Sequence, residues 1–227
     1  MQITPRDISV VIPVKDGKVF LERAFRSVRA VSHEIEIIFV ENGSTDGSLE
    51  ECQRLADVNT KVIRLSESGV SRARNYGIEA ARGKVITTLD ADDEMLSGRI
   101  TFIVSRLWTQ TDFVIGTMQL VAAEEPNYPL EIQHALKRGL PLFTGSALIF
   151  TKAGFDQIGG YSENLSHAED MDFILRAKTA GLNSMYSDEQ FLIRHFHAGN
   201  VSLDRGASIS GLFSALRSNI KNEEEKL

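Results

Sequence analysis

Val85-Ile86-Thr87-Thr88-Leu89-Asp90-Ala91-Asp92-Asp93-Glu94 runs five apolar or β-branched residues straight into a cluster of carboxylates. A strand that ends by presenting Asp90, Asp92 and Asp93 is a poor way to build a core and a good way to hold a hard divalent cation. Mg²⁺ and Mn²⁺ prefer oxygen ligands, and Mg²⁺ is usually completed by substrate phosphates. Two like charges about 4 Å apart repel by roughly 4 kcal/mol at an effective dielectric near 20, and a bound cation turns that repulsion into attraction. The other reading gives these acids to the next helix, with Asp90 or Asp92 as its cap and Asp93 and Glu94 complementing its dipole.

Outward from this stretch, strand-like and helix-like runs alternate. Ile8–Ile12 is a short, nearly continuous apolar run, as expected of a strand buried on both faces, and Pro13 ends it. Asp16 can cap a helix running to about Val31. Ile35–Val40 and Lys61–Leu65 read as further strands, with Asn42-Gly43-Ser44-Thr45-Asp46 a turn and helix start between them. Ser71–Ala81 reads as a helix with Gly83 as its C-terminal cap. Lys84–Leu89 is then the fourth strand. This β-α-β-α-β-α-β order predicts an α/β protein with a mixed, mainly parallel central sheet covered by helices. Ligands on such sheets bind outside the carboxyl ends of the strands. Pro13-Val14-Lys15, Glu41-Asn42 and Asp90–Asp93 all fall at such ends.

The second half is mixed. Asp112–Leu120, Gly145–Thr151 and Gln190–Arg194 read as strands, and Ala153–Ile158 and Glu169–Ala180 as helices, the latter closed by Gly181. Ala122–Leu140 is polar and irregular. Gly206–Asn219 has helical periodicity, with Ile209, Leu212, Phe213 and Leu216 on one face, and a charged tail follows.

The 227 residues carry a formal net charge of −6. That argues against a general nucleic-acid binder, which would show a basic face, and it means that an anionic substrate needs a local cation or local arginines. The single cysteine, Cys52, cannot form an internal disulfide, which fits a reducing compartment. No run of about 18 apolar residues is present, so no transmembrane segment is expected. Met1–Asp7 lacks the apolar core of a signal peptide. A cytoplasmic location follows as the expectation, with peripheral membrane contact and a homodimer left open.

Several motifs occur in a fixed order. They are Val10-Val11-Ile12-Pro13-Val14, Val40-Glu41-Asn42-Gly43-Ser44-Thr45-Asp46, Gly69–Gly83 with Ala73-Arg74-Asn75, Leu89–Asp93, Gly145–Ile174 with Gly159-Gly160-Tyr161 and Ala168-Glu169-Asp170, and Arg194–Ser202. Together they resemble family 2 of the glycosyltransferases, inverting enzymes with the nucleotide-diphospho-sugar transferase (GT-A) fold. The resemblance spans about residues 8–202. It implies one glycosyltransferase domain over residues 1–227, with a nucleotide-sugar-binding half (8–93), an acceptor and catalytic half (112–202) and a C-terminal helix and tail (206–227).

The resemblance also implies roles. Pro13, Val14, Glu41, Arg74, Asp90 and Arg194 would face the donor nucleotide. Glu41 stands where Asp is usual and would meet the base; its local alternative is a turn in which Asn42 or Ser44 caps a helix. Arg74 could stack on the base or offset phosphate charge, or simply be a solvated helix residue. Asp92 would be the main metal ligand, with Asp90 and the loop residue His197 beside it, for Mn²⁺ or Mg²⁺. Asp93 is either a further member of the cluster or a helix cap. Asp170 would be the catalytic base, with Glu169 next to it; locally, an acid at a helix N-terminus is also favoured by the dipole. Asp172 lies about 200° round the helix from Asp170 and is excluded. The donor would be a UDP-, GDP- or dTDP-linked sugar. The acceptor would be a hydroxyl-bearing glycan, lipid-linked or small molecule, against a wall formed by Ala122–Phe143.

Other phosphate chemistries fit less well. No G-x-G-x-x-G follows the first strand and no G-x-x-x-x-G-K-[ST] is present, which argues against dinucleotide and P-loop enzymes. A sugar-nucleotidyltransferase would carry a Gly-rich, Arg-containing loop where Pro13-Val14-Lys15-Asp16-Gly17 stands. A catalytically silent sugar-nucleotide-binding or scaffold subunit is the remaining alternative, against which the acidic pair argues.

Overall fold

The computed structural model describes residues 2–106, 110–122, 133, 143–165 and 168–196. The elements are β1 (Ile8–Val14), α1 (Lys18–Arg29), β2 (Glu36–Glu41), α2 (Ser48–Leu55), β3 (Thr60–Arg64), α3 (Val70–Glu79), β4 (Val85–Thr88), β5 (Glu94–Met95), α4 (Ser97–Ser105), β6 (Phe113–Ala122), β7 (Phe143–Thr151), α5 (Lys152–Ile158), α6 (Glu169–Thr179) and β8 (Ser184–Phe196). They build one sheet in the order β3-β2-β1-β4-β7-β6-β8-β5. The β3-β2-β1-β4 half is parallel. Strand β7 runs antiparallel to β4 and β6, β8 runs parallel to β6, and β5 runs antiparallel to the end of β8. The sheet is thus mixed and mainly parallel, as its sequence predicts.

Both faces of the sheet are buried, which is why its strands read as continuous apolar runs rather than alternating ones. Val10, Ile12, Val14, Ile37 and Phe39 point to one face, where α1 and α4 supply Leu21, Ala24, Val28, Ile100 and Ile103. Val11, Ile38, Val40, Ile86 and Phe150 point to the other, against Ala73 and Ile78 of α3, Phe155 of α5 and Phe173 and Ala177 of α6.

The helix ends differ from the sequence expectations in instructive ways. Asp16 does not cap α1. It adopts φ 47° and its carboxylate accepts the Thr45 N–H at 2.8 Å, while Asp46 of the next loop accepts the Lys18 N–H at 2.9 Å. The two turns at the ends of β1 and β2 therefore cap each other. Gly83 does not cap α3, which ends at Glu79. Gly83 is instead pressed against β1, where a Cβ would lie 2.6 Å from the Ser9 nitrogen. The α3 carboxyl end is closed by Lys152, whose ammonium donates to the carbonyls of Ile78, Glu79 and Ala81 at 2.8–3.2 Å. A cation there also suits the negative end of the helix dipole.

Helix α4 starts at Ser97, with Leu96 in the cap position and no side-chain cap bond. Asp90 and Asp92 therefore do not cap it, which removes the local reading of those acids. The last strand runs from Ser184 to Phe196, well beyond the expected Gln190–Arg194. Most of the expected acceptor wall, the Gly206–Asn219 helix and the charged tail lie outside the described residues. None of the described helices is long and apolar enough to cross a membrane.

Helix α3 lies unusually close to the sheet. Gly77 is buried against β1 and β2, and a Cβ there would overlap Val11 Cγ1 and lie 2.9 Å from Val40 Cγ2. Gly→Ala within a helix normally stabilises by up to about 1 kcal/mol. Here overpacking dominates, so Gly77→Ala is expected to destabilise by about 1–3 kcal/mol. Urea denaturation checks this; a midpoint equal to or above wild type would show that α3 has room to lift.

Candidate active site

The three polar clusters expected at strand carboxyl ends meet along one edge. Val14 sits beside Glu41 in the β1–β2 register, with Pro13 beside Val40, and the Leu89 N–H donates to the Val11 carbonyl at 3.0 Å. Glu41 is buried. Its carboxylate accepts the Ser44 N–H, and Arg64 Nε lies 3.8 Å away. Asn42 Oδ1 accepts the Gly69 N–H at 2.9 Å, fastening the end of β2 to the start of α3. The two side chains thus hold the turn after β2, but neither Asn42 nor Ser44 caps α2, whose cap position is Gly47 with no side-chain cap bond.

Asp90, Asp92 and Asp93 bring carboxylate oxygens within 4.8 Å of one another. The loop that carries them is held at several points. The Asp90 N–H donates to Ser146 Oγ at 2.8 Å, the Asp93 N–H donates to the Asp90 carbonyl at 3.1 Å, and Arg23 donates to the Asp92 carbonyl at 2.6 Å. Asp93 is 1% exposed, with the His195 backbone N–H facing its carboxylate and no side chain hydrogen-bonded to it among the described residues. Burial, and then the charge of Asp90, push its carboxyl up to about 8, against the pull of Arg194. A buried carboxylate with two more beside it suits a hard divalent cation in donor number and chemistry. Sequence reasoning left Asp93 between two roles; its burial puts it in the cluster.

Asp170 opens α6, just after Ala168 in a left-handed conformation (φ 60°). It fits against β7 only because residue 145 is glycine, since a Cβ there would overlap the Asp170 carboxyl group. Burial raises that carboxyl to about 7; Glu169 and Asp90 add to the rise while Arg74 and Arg194 oppose it. Asp172 is buried elsewhere, paired with Arg176 at 2.7 Å, as its angular position on the helix requires.

Arg74 joins the two sets of acids. Its guanidinium donates to Glu169 at 2.7 Å, Asp170 at 3.3 Å and Asp90 at 3.1 Å, and lies 5.4 Å from the centre of the Tyr161 ring. Burial disfavours its charge, but the acids more than compensate and hold the guanidinium firmly protonated. Arg194, near the end of β8, carries the other charge that both Asp93 and Asp170 feel. His197 lies outside the described residues.

Arg99 of α4 gave no signal in the sequence. It is fully buried behind the carboxylate loop and donates to Thr87 Oγ1 at 3.1 Å, the Thr88 carbonyl at 2.8 Å and the Ser146 carbonyl at 2.6 Å. It thereby ties β4 to β7 directly beneath Asp90. No carboxylate pairs with it among the described residues; burial pulls its pKa down to about 9, and Asp93 and Asp90 oppose that fall.

The model of "Glycosyl transferase family 2" matches residues 9–202. The chain belongs to that family. Among curated relatives, the succinoglycan biosynthesis protein ExoU of Rhizobium meliloti is 30% identical over 91% of this chain and 65% of its own length. The glycosyltransferase GlyG of Streptococcus pneumoniae is 34% identical over 48% of this chain and 38% of its own. The chain thus spans less than two thirds of either relative. Among solved structures, the mannosyltransferase PcManGT of Pyrobaculum calidifontis, in complex with GDP-Man and Mn²⁺, superposes with a TM-score of 0.72 at 16% identity, covering 95% of this chain and 64% of that one. S. aureus TarS 1–349 in complex with UDP-GlcNAc gives 0.69 at 19% identity, over 87% and 61%. At those identities the likeness establishes the fold, which is GT-A.

Family membership makes the fit of Asp170 against Gly145 a sharp structural test. Gly145→Ala is expected to cost about 1–3 kcal/mol by overpacking and to break the 3.3 Å contact between Arg74 and Asp170. Urea denaturation gives the first and a crystal structure of the variant the second. An Asp170 still seated on Arg74 beside an unshifted β7 would show that the pocket has slack.

Proposed function

We propose that this chain is a metal-assisted, inverting glycosyltransferase that moves one sugar from a nucleoside-diphosphate donor to an acceptor hydroxyl. The observation that carries the reading is the sharing of Arg74 between Asp90 of the carboxylate cluster and the Glu169–Asp170 pair. A donor-side group and a base-side group face one another across one guanidinium. The fold neighbours' ligands, GDP-Man with Mn²⁺ and UDP-GlcNAc, support a nucleotide-sugar donor. They leave the base open between uracil and guanine, with dTDP-sugars also in range.

Asp92, Asp90 and Asp93 would hold Mn²⁺ or Mg²⁺, with His197 as a further candidate. The metal, when bound, supplies positive charge to the diphosphate as it leaves, in place of a proton donor. The chain's own groups do the rest. The carboxyl ends of β1 and β2, with Pro13, Val14 and Glu41, would form the floor for the nucleoside. Arg194, whose charge acts on both Asp93 and Asp170, would meet phosphate. Asp170 accepts the proton of the acceptor hydroxyl as its oxygen attacks the anomeric carbon, and the bond from that carbon to the diphosphate oxygen breaks. One displacement gives a glycoside of opposite anomeric configuration and a free nucleoside diphosphate. Glu169 takes the shorter of the two bonds to Arg74 and leaves Asp170 the freer of the pair.

The donor site is tested by thermal shift with UDP-, GDP- and dTDP-sugars, with and without Mn²⁺. A ligand that binds only the native state stabilises by about 2.7 kcal/mol at a hundred times its Kd. Asp92→Ala is expected to remove the metal-dependent part of the shift and keep the unliganded melting temperature. No shift with any donor would reject the reading, and a metal response that survives the substitution would move the ligand elsewhere.

The chemistry is tested with Asp170→Asn, which is expected to lower transfer by at least roughly 10²-fold, the low end for general-base catalysis, with donor binding little changed. The base acts deprotonated, so kcat/KM should rise with pH through about 7 and level off above it. The same carboxyl, raised from 3.8 to about 7, binds a proton in the native state that the unfolded chain releases, so it makes stability fall as pH climbs through that window. A flat profile from pH 5 to 9 would show that the Asp170 carboxyl titrates below that range, and a product that keeps the donor's anomeric configuration would overturn the single-displacement mechanism. Donor binding without transfer or hydrolysis would favour the silent subunit.

A further inference from the structure

Arg74 stands in a motif whose resemblance assigns it to the nucleotide, yet its surroundings leave it little to offer there. Its side chain is 4% exposed. One terminal nitrogen is shared by Glu169 and Asp170, the other is bonded to Asp90, and Nε is buried, with no hydrogen-bond partner among the described residues and out of reach of a ligand. The Tyr161 ring covers one side of the guanidinium. A planar fork held at three carboxylates fixes their relative positions in a way that a single-point ammonium cannot.

The helix that carries Arg74 is itself held to both halves of the sheet. On the donor side, Gly77 presses α3 onto Val11 and Val40. On the other side, Asn75 makes a two-point amide clamp, accepting the Tyr161 N–H at 2.8 Å and donating to the Tyr161 carbonyl at 2.9 Å. The Tyr161 ring stacks on Phe173 of α6 with centroids 4.5 Å apart and planes 19° from parallel. Helix α6 begins with Glu169 and Asp170. A rigid path thus runs from the donor strands through α3 to the acidic pair, and Arg74 is its tip.

We propose that Arg74 is a positioning residue, which sets the placement of the Asp170 carboxylate relative to Asp90 and so relative to the donor's anomeric carbon. The inference rests on the assignment of Asp170 as base. It differs from a nucleotide contact in what a substitution should change. Removing the fork should let Asp170 drift, and a misplacement of about 1 Å can cost on the order of 10²-fold in rate. The nucleoside diphosphate should bind almost as before.

A double-mutant cycle on transfer, with the affinity for UDP and GDP measured alongside by calorimetry in Mn²⁺, tests this. Arg74→Gln is expected to lower kcat on the order of 10²-fold while nucleoside diphosphate affinity stays within about threefold. Arg74→Lys, which keeps the charge and loses the fork, should recover only part of the rate, and it serves as the probe if the Gln variant fails to fold. Adding either substitution to Asp170→Asn should cost little more than Asp170→Asn alone, because Arg74 acts through that carboxylate. Losses that multiply would overturn the inference while leaving the base assignment intact. So would a nucleoside diphosphate affinity that falls in step with kcat, which would return Arg74 to the nucleotide. Full transfer by Asp170→Asn alone would overturn the base assignment, and this inference with it.

Discussion

One guanidinium shared by three carboxylates is the constraint from which the candidate site follows. Asp90, Glu169 and Asp170 come from a strand end and a helix start that are far apart in the chain. Left alone, such acids repel; at 4 Å and an effective dielectric near 20 each pair costs roughly 4 kcal/mol. Arg74 offsets part of that and does so from inside the protein, where its charge is little screened. Everything that fixes Arg74 therefore fixes the site: the close seat of α3 on the sheet, the Asn75 clamp on Tyr161, and the space that Gly145 leaves for Asp170.

Much of this was legible in the chain because it is local. Continuous apolar runs marked the doubly covered strands, and their carboxyl ends marked the edge where the polar clusters meet. The carboxylate run at 90–93 announced itself by its residue types alone. Asp172 could be set aside from helical periodicity, and the structure seats it in a separate ion pair with Arg176.

What the sequence hid depends on partners far along the chain. Arg74 reaches an acid 95 residues away, and nothing in its neighbourhood says so. Gly83 looks like a helix cap, but its need for glycine comes from β1 packed against it. Asp16 looks like a cap for α1, yet the neighbouring turn supplies that bond through Asp46. Arg99 in Ser97-Gly98-Arg99-Ile100 reads as an ordinary helix residue. Only the antiparallel pairing of β4 with β7 gives it two carbonyls to bind and a buried place beneath the acids. Such features follow from strand order, which periodicity does not encode.

The pairing of β5 with the end of β8 has a consequence for the shape of the whole sheet. Strands β4 and β5 stand four places apart in the strand order, which on a flat sheet is about 19 Å. The link between them, Leu89–Asp93, could span only about 20 Å even if drawn straight. It is not straight, because the Asp93 N–H folds back onto the Asp90 carbonyl. The sheet must therefore roll until its far margin approaches its middle, and β6 carries register shifts against both of its neighbours. The short acidic link acts as a drawstring. The curl of the sheet and the gathering of the three carboxylates are a single geometric solution, so lengthening this link by a few residues would slacken both at once.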